Sequence, residues 1–250
     1  MPGPGDEARR RRVGIIRSVK YRVVFFDVGE TLVHPSPSFP ELFAHVVGRG
    51  GFRVLPDDVI QASRMVTEGF SQASRDGARW TTSPERSRAF WISVYAQMLD
   101  SLGLPSDDGL KDALYEAFTD RANYTLFDDV RPVLDRLASE GYALGLISNF
   151  EAWLDDLLVD LGIREAFAVR VISGIEGVEK PDPRIYRLAL ERAGVEAGDT
   201  AYVGDNPEFD VDPPAALGMF PVLIDRRRRH TDHVGARITD MADLSEALRG

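Results

Sequence analysis

The chain runs to 250 residues, 44% of them hydrophobic and 28% charged, which is ordinary for a soluble globular protein with one large or two small cores. It contains no cysteine, so disulfides, thiolate catalysis and cysteine metal sites are excluded. A formal net charge of -10 opposes broad nucleic-acid binding, and no apolar run is long enough to span a bilayer.

Met1 to Lys20 is rich in Gly, Pro and Arg. Arg9 to Arg12 resemble the charged start of a signal peptide, but the apolar piece that follows, Val13 to Ile16, is too short for its hydrophobic region. Residues 1–20 are therefore expected to form a flexible cytoplasmic tail. Arg22 to Phe26 reads as a buried strand ending in Asp27, and a Gly/Pro-rich stretch follows from Gly29 to Pro40.

Helical periodicity then takes over. Leu42, Phe43, Val46 and Val47 form one apolar stripe, and Val59, Ala62, Val66 and Phe70 a second. Phe90, Val94, Met98 and Leu102 form a third, and Leu110, Leu114 and Phe118 a fourth. Nothing between Ser36 and Thr125 reads as a strand, so this segment is an all-helical insert. From there helix and strand alternate. Asp128 can cap a helix that carries Val130, Val133, Leu134 and Leu137 and stops at Gly141. Strands are expected over Tyr142 to Ile147, Ala168 to Ile172, Thr200 to Val203 and Phe220 to Ile224, with helices over Glu151 to Leu161 and Pro183 to Ala193. The alternation predicts an α/β fold, a doubly wound parallel sheet with helices on both faces. Ligands then bind at the carboxyl ends of the strands.

Those ends carry distinctive residues. The first strand leads into Asp27-Val28-Gly29-Glu30-Thr31, and the second ends in Ser148-Asn149. Lys180 stands in Glu179-Lys180-Pro181-Asp182-Pro183, and the third strand ends in Gly204-Asp205-Asn206, with Asp210 following. Singly, each has a bland reading. Asp27 and Ser148 can be caps, Gly204-Asp205 a turn and Lys180 a solvated side chain. The chain has three lysines, Lys20, Lys111 and Lys180, which makes one inside such a run less accidental. A parallel sheet gathers all four pieces on one rim, where they form a phosphoryl-transfer site. Asp27 can attack phosphorus, and Asp27 and Asp205 offer hard oxygen ligands to magnesium. Ser148 and nearby N–H groups can hold phosphate oxygens while Lys180 neutralises charge.

As a set, these residues resemble the four motifs of the haloacid dehalogenase superfamily, and the resemblance covers nearly everything after about Tyr21. It implies a core domain over residues 21–35 and 126–250, and a four-helix cap over 36–125 that closes on the site and selects the substrate. It also implies magnesium held by the side chains of Asp27 and Asp205 and the backbone carbonyl of Gly29. Thr31 and Asn149 join Ser148 and Lys180 around the phosphate, and Asp210 supports Lys180 or a metal-bound water. The expected partner is a small phosphorylated metabolite, with neither nucleic acid nor membrane, and the expected assembly a monomer or homodimer.

The chain departs from the pattern where the family's phosphatases carry an acid-base aspartate two residues after the nucleophile, because Gly29 stands there. Glu30 is adjacent, but neighbours on extended backbone point opposite ways. Pro213-Pro214 replaces a common Gly-Ala pair, which the first turn of a helix tolerates. His34 is read as a loop residue, Arg226 to His230 as a solvated loop rather than an anion patch, and Arg79, Arg86 and Arg88 as helix-surface charges around a packed Trp80. Two other functions compete with a magnesium-dependent phosphatase. One is a metal-independent haloacid dehalogenase, which also lacks the second aspartate but has no use for Asp205. The other is a binding or regulatory protein on a degraded enzyme scaffold. A phosphonate-cleaving reading would need Lys111 as a Schiff base.

Overall fold

The computed structural model describes residues 20–64 and 79–249. The expected tail lies outside the described residues except for Lys20, as do Val66 and Phe70 of the second stripe.

Strand β1 (Val23–Phe26) is fully apolar and buried. After the turn at Val28 to Leu32 the chain forms β2 (Val33–Pro35) and enters the helices. Helix α1 (Phe39–Arg49) starts where Glu41 accepts from the Ser38 backbone N–H. Helix α2 is described over residues 56–64. Helix α3 (Pro84–Ser101) is capped by Ser83, and α4 (Asp108–Thr119) by Asp107. Leu42, Val47, Val59, Leu99 and Leu114 from these four helices pack into one apolar cluster, separate from the two beneath the sheet.

The chain returns through β3 (Tyr124–Leu126), which pairs antiparallel with β2, Val33 opposite Leu126 and Pro35 opposite Tyr124. Hydrogen bonds from Phe127 N to Leu32 O and from Ser36 N to Asn123 O extend the pairing on both sides. In this ribbon, Tyr124 and Thr125 of β3 correct the expectation that nothing between Ser36 and Thr125 is a strand, and β2 is a further addition. Each partner is three residues long and gets its bonds from a segment about ninety positions away, so local periodicity carries no trace of it.

The second half alternates as expected: α5 (Val130–Glu140), β4 (Ala143–Ser148), α6 (Leu154–Asp160), β5 (Val169–Ile172), α7 (Ser173–Glu176), α8 (Pro183–Ala193), β6 (Thr200–Gly204), a π-helical turn at Pro207–Val211, α9 (Asp212–Leu217), β7 (Phe220–Ile224), β8 (Ala236–Ile238) and α10 (Leu244–Ala247). Strand β8 and helices α7 and α10 are additions to the sequence reading. Asp129, not Asp128, precedes α5, and its carboxylate serves Arg226 and the Met241 N–H instead of capping. Pro213 and Pro214 fall in the first turn of α9, which needs no N–H from them.

Six parallel strands form the sheet in the order β5-β4-β1-β6-β7-β8. Alternate side chains go to opposite faces. Val24, Phe26, Leu146 and Val203 meet α5, α6 and α10 on one face, while Phe25, Ile147 and Tyr202 meet α8 on the other. The fold is thus the doubly wound α/β sheet expected, with a helical insertion. Strand β1 lies at the centre, and the chain leaves it toward β4 on one side and β6 on the other. That topological switch point opens a crevice at the carboxyl ends of β1, β4 and β6.

Candidate active site

The register places Phe26 beside Leu146 and Val203, so Asp27 emerges one residue before the level of Ser148 and Asp205, on the same rim. Asp27 donates its backbone N–H to the Val203 carbonyl at 2.8 Å. Its carboxylate accepts from Lys180 Nζ at 2.7 Å and from Ser148 Oγ at 3.3 Å. Lys180 also donates to Asp210 Oδ1 at 2.7 Å and to the Tyr202 hydroxyl at 3.2 Å. Tyr202 in turn donates to the Ile147 carbonyl at 2.9 Å, tying β6 to β4 under the site. Lys180 is 2% exposed and Asp210 1%, so water screens this ammonium very little. Gly204 has no side chain for a reason, since a Cβ there would collide with the Asp210 carboxyl group.

Asp27, Asp205 and Asp210 each present a carboxylate oxygen within 4.8 Å of the others. Three negative charges face one ammonium, and the Asp205 carboxylate accepts no hydrogen bond from a described side chain. Burial, together with the charges of Asp27, Asp210 and Glu30, pushes the Asp205 carboxyl well above its ordinary range. Burial also raises Asp210, to about 6, although Lys180 pulls it back. Burial pulls the Lys180 ammonium down, but Asp210 and Asp27 more than offset it and the net shift is upward. The excess negative charge and the all-oxygen donor set fit a hard divalent cation.

The other expected residues are distributed unevenly. Gly29 lines the cavity over Asp27 and sits beside Glu30. Asn149 lines the cavity, and its amide accepts from Lys180 N at 2.7 Å and donates to Lys180 O at 2.9 Å, clamping the lysine's own peptide unit. The Thr31 hydroxyl is fully buried without a hydrogen-bond partner among the described residues, and Thr31 is not among the cavity-lining residues. Glu30 has φ 56°, and its carboxylate pairs with Arg227 at 2.6 Å.

The remaining features are engaged in packing and ion pairs, although His34 lies in strand β2 and not in a loop, Arg79 precedes α3 and Arg226 is largely buried. His34 packs against Phe127 with ring centroids 4.4 Å apart. Arg226 grips Asp129 and the Thr31 carbonyl and lies 3.9 Å over the Phe127 ring. Trp80 stacks on Phe90, Arg79 faces Asp182, Arg86 reaches Thr82, and Arg88 pairs with Asp112. Lys111 pairs with Asp108 on α4, outside the cavity, which removes the Schiff-base reading.

Two carboxylates that the sequence reading passed over join the sheet to the insert. Glu179, 1% exposed, accepts from the backbone N–H groups of Trp80 and Thr81 at 2.9 and 2.6 Å and from the Thr81 hydroxyl at 2.6 Å. Glu151 accepts from Ser87 of α3 at 2.7 Å and from Trp153 Nε1 at 3.1 Å. Their adjacency to Lys180 and Asn149 was the available signal. Glu179→Ala takes the carboxylate acceptor from the half-buried backbone N–H groups of Trp80 and Thr81, while the Thr81 hydroxyl keeps Ser173, so it is expected to lower unfolding stability by about 1–3 kcal/mol. Glu176→Ala, which breaks a surface pair with Arg192, should cost under about 1 kcal/mol. Urea midpoints at unchanged slope measure both, and equal midpoints would show that the Glu179 contacts carry no energy.

The family model of the haloacid dehalogenase-like hydrolases matches residues 21–218. The mouse "Haloacid dehalogenase-like hydrolase domain-containing protein 3" is 30% identical over 210 residues, 82% of each chain. A phosphoserine phosphatase of Thermus thermophilus is 31% identical over 176 residues, 68% of this chain and 71% of that one. In fold, the chain resembles the solved structure of an L-2-haloacid dehalogenase, with a TM-score of 0.72 at 21% identity over 92% of this chain and 100% of the other.

Proposed function

The chain belongs to the haloacid dehalogenase-like hydrolase family, and we propose that it is a magnesium-dependent phosphatase that cleaves a small phosphorylated metabolite through an aspartyl-phosphate on Asp27. The observation that carries this reading is the Asp27–Asp205–Asp210 cluster around a single buried ammonium. A dehalogenase needs no metal, and for its anionic substrate the Asp205 charge is only a repulsion. The phosphatase-named relative supports the same choice.

In this mechanism Asp27 attacks phosphorus and the ester oxygen leaves. Ser148 and Lys180 hold and neutralise the phosphoryl oxygens. Asp210 and Tyr202 fix the Lys180 ammonium, and the Asn149 clamp fixes its backbone. Asp27, Asp205 and the Gly29 carbonyl would hold the magnesium ion. When bound, it cancels the repulsion between carboxylates and phosphate and polarises the phosphoryl group. Thr31 is assigned to the phosphate side by resemblance alone. The described residues divide in this reading into a core over 21–35 and 126–249 and a cap over 36–125, joined by the β2–β3 ribbon.

Gly29 sets a limit on the chemistry. Its φ is not positive, and a Cβ added there meets nothing within 4 Å, so the backbone and the space both admit a side chain. Gly29→Asp supplies the absent proton donor and is expected to raise turnover of alkyl phosphates at least about tenfold, a conservative share of the usual acid-base effect. Glu30→Gln is the control, because Glu30 is held by Arg227. Loss of activity in Glu30→Gln together with no gain in Gly29→Asp would make Glu30 the acid-base group. Steady-state hydrolysis of glycerol 2-phosphate, with and without magnesium, reads both. Chloroacetate dechlorination that persists in chelator would favour the dehalogenase reading.

A further inference from the structure

The cavity above Asp27 encloses about 370 Å³, and its walls are strongly aromatic. On the insert side Trp91, Tyr95 and Phe118 form a stacked series, with centroids 5.9 and 5.7 Å apart. Tyr124, Phe150 and Trp153 form a second cluster, with centroids 4.8 to 6.4 Å apart. Among the described lining residues the one cation is Lys180, and it is already bonded to Asp27 and Asp210 at the floor. Apart from the aspartates beside Lys180, the other charged lining residues are both carboxylates. Glu30 pairs with Arg227, and Glu151 lies in the wall beside Trp153.

From these walls we infer that the leaving group is an uncharged aromatic alcohol, so that the substrate is an aryl phosphate ester without a carboxylate. The inference rests on the phosphatase reading and sharpens it. Two independent observations agree. Two aromatic clusters in the walls favour a flat ring by stacking and apolar burial, and an anionic substituent there would meet Glu151 in a poorly screened space with no free cation among the described lining residues to offset it. Separately, Gly29 offers no proton to the departing oxygen. As the Asp27 Oδ–P bond forms and the P–O(aryl) bond breaks, the electron pair leaves with the oxygen as an aryloxide, which takes its proton from water. A phenol, with pKa about 10, tolerates this far better than an alkyl alcohol. Water then cleaves the aspartyl-phosphate, releasing inorganic phosphate and restoring Asp27.

The test uses the full chain with magnesium and compares kcat/KM for phenyl phosphate and 4-carboxyphenyl phosphate, which differ by one distal carboxylate. The neutral ester is expected to be preferred at least about tenfold. Glu151→Gln keeps the oxygen that accepts from Ser87 and removes the charge, so it should narrow the gap. 2-Naphthyl phosphate should exceed phosphoserine by at least about a hundredfold. Equal rates for the phenyl pair, or a preference for phosphoserine, overturn the inference. Acetyl phosphate separates this failure from the larger one, because its leaving group needs neither a proton nor an aromatic wall. If acetyl phosphate is hydrolysed but aryl esters are not favoured, the inference alone has failed. If nothing is hydrolysed, the phosphatase reading has failed. Calorimetric titration with 2-naphthol then judges the cavity by itself. Binding that Trp91→Gln weakens at least about tenfold supports an aromatic site, and its absence overturns one.

Discussion

Asp27→Asn is expected to lower turnover by at least about 10⁴-fold, the scale seen when a covalent nucleophile is removed. An amide nitrogen or oxygen at this position cannot form the acyl phosphate, whereas the shape of the side chain is unchanged. The fold should survive, and the charge balance says why. Lys180 keeps its 2.7 Å bond to Asp210, so the buried ammonium is not orphaned. The three carboxylates of the cluster become two, which removes repulsion that now falls on Asp205 and Asp210. Metal-free thermal stability should therefore stay equal to wild type or rise, although loss of one partner of a buried pair is ordinarily destabilising. Two measurements belong together: the thermal midpoint without metal, and the mass of protein quenched during turnover, which should show a phosphoryl adduct in wild type and none in Asp27→Asn. Wild-type-like turnover in the mutant would end the covalent mechanism.

Asp205→Asn carries the second large effect, and it is unusual in moving two observables in opposite directions. Without metal, the substitution removes a carboxylate that burial and neighbouring charges already hold well above its ordinary range, so the apoprotein should melt at a higher temperature. With magnesium, the wild type gains stability as RT ln(1 + [Mg]/Kd), and the variant should gain little. Turnover should fall by about 10³-fold, consistent with the several kcal/mol that a metal supplies to charge development in the transition state. Chelation of the wild type should reproduce the loss, and added magnesium should reverse it. A variant with an unchanged magnesium-dependent melting shift would remove Asp205 from the metal site, whatever its effect on rate.

The sequence made the sheet and its rim readable because both are written locally. Val23 to Phe26 and Thr200 to Gly204 are short buried runs, and each is followed at once by its polar residue. A parallel sheet does the rest, since it brings all such strand ends to one edge. What escaped was written at long range. The β2–β3 ribbon and β8 have three residues each, below the length at which alternation is visible. Glu151 and Glu179 stand close to motif residues, but nothing in their own segments indicates that Ser87 and Thr81 will approach. The resemblance implies Asn149 beside the phosphate, and the fold adds a role that no local pattern shows, a clamp of its amide on the peptide unit of Lys180. Tyr202 gives a faint signal, a phenol hydroxyl in the middle of a buried strand, that is equally open to reading as core packing.

The paired entry and exit at β2 and β3 have a mechanical meaning. Two separate tethers would let the helical insert twist and slide over the rim in several independent ways. Two tethers stitched side by side, from Phe127–Leu32 at one end to Ser36–Asn123 at the other, resist shear and torsion but bend readily out of plane. Any displacement of the insert that keeps these bonds is therefore confined to bending of the ribbon. Tyr124 belongs to that strip and also lines the cavity, so one wall of the aromatic chamber is anchored to the ribbon and not to the insert's helices.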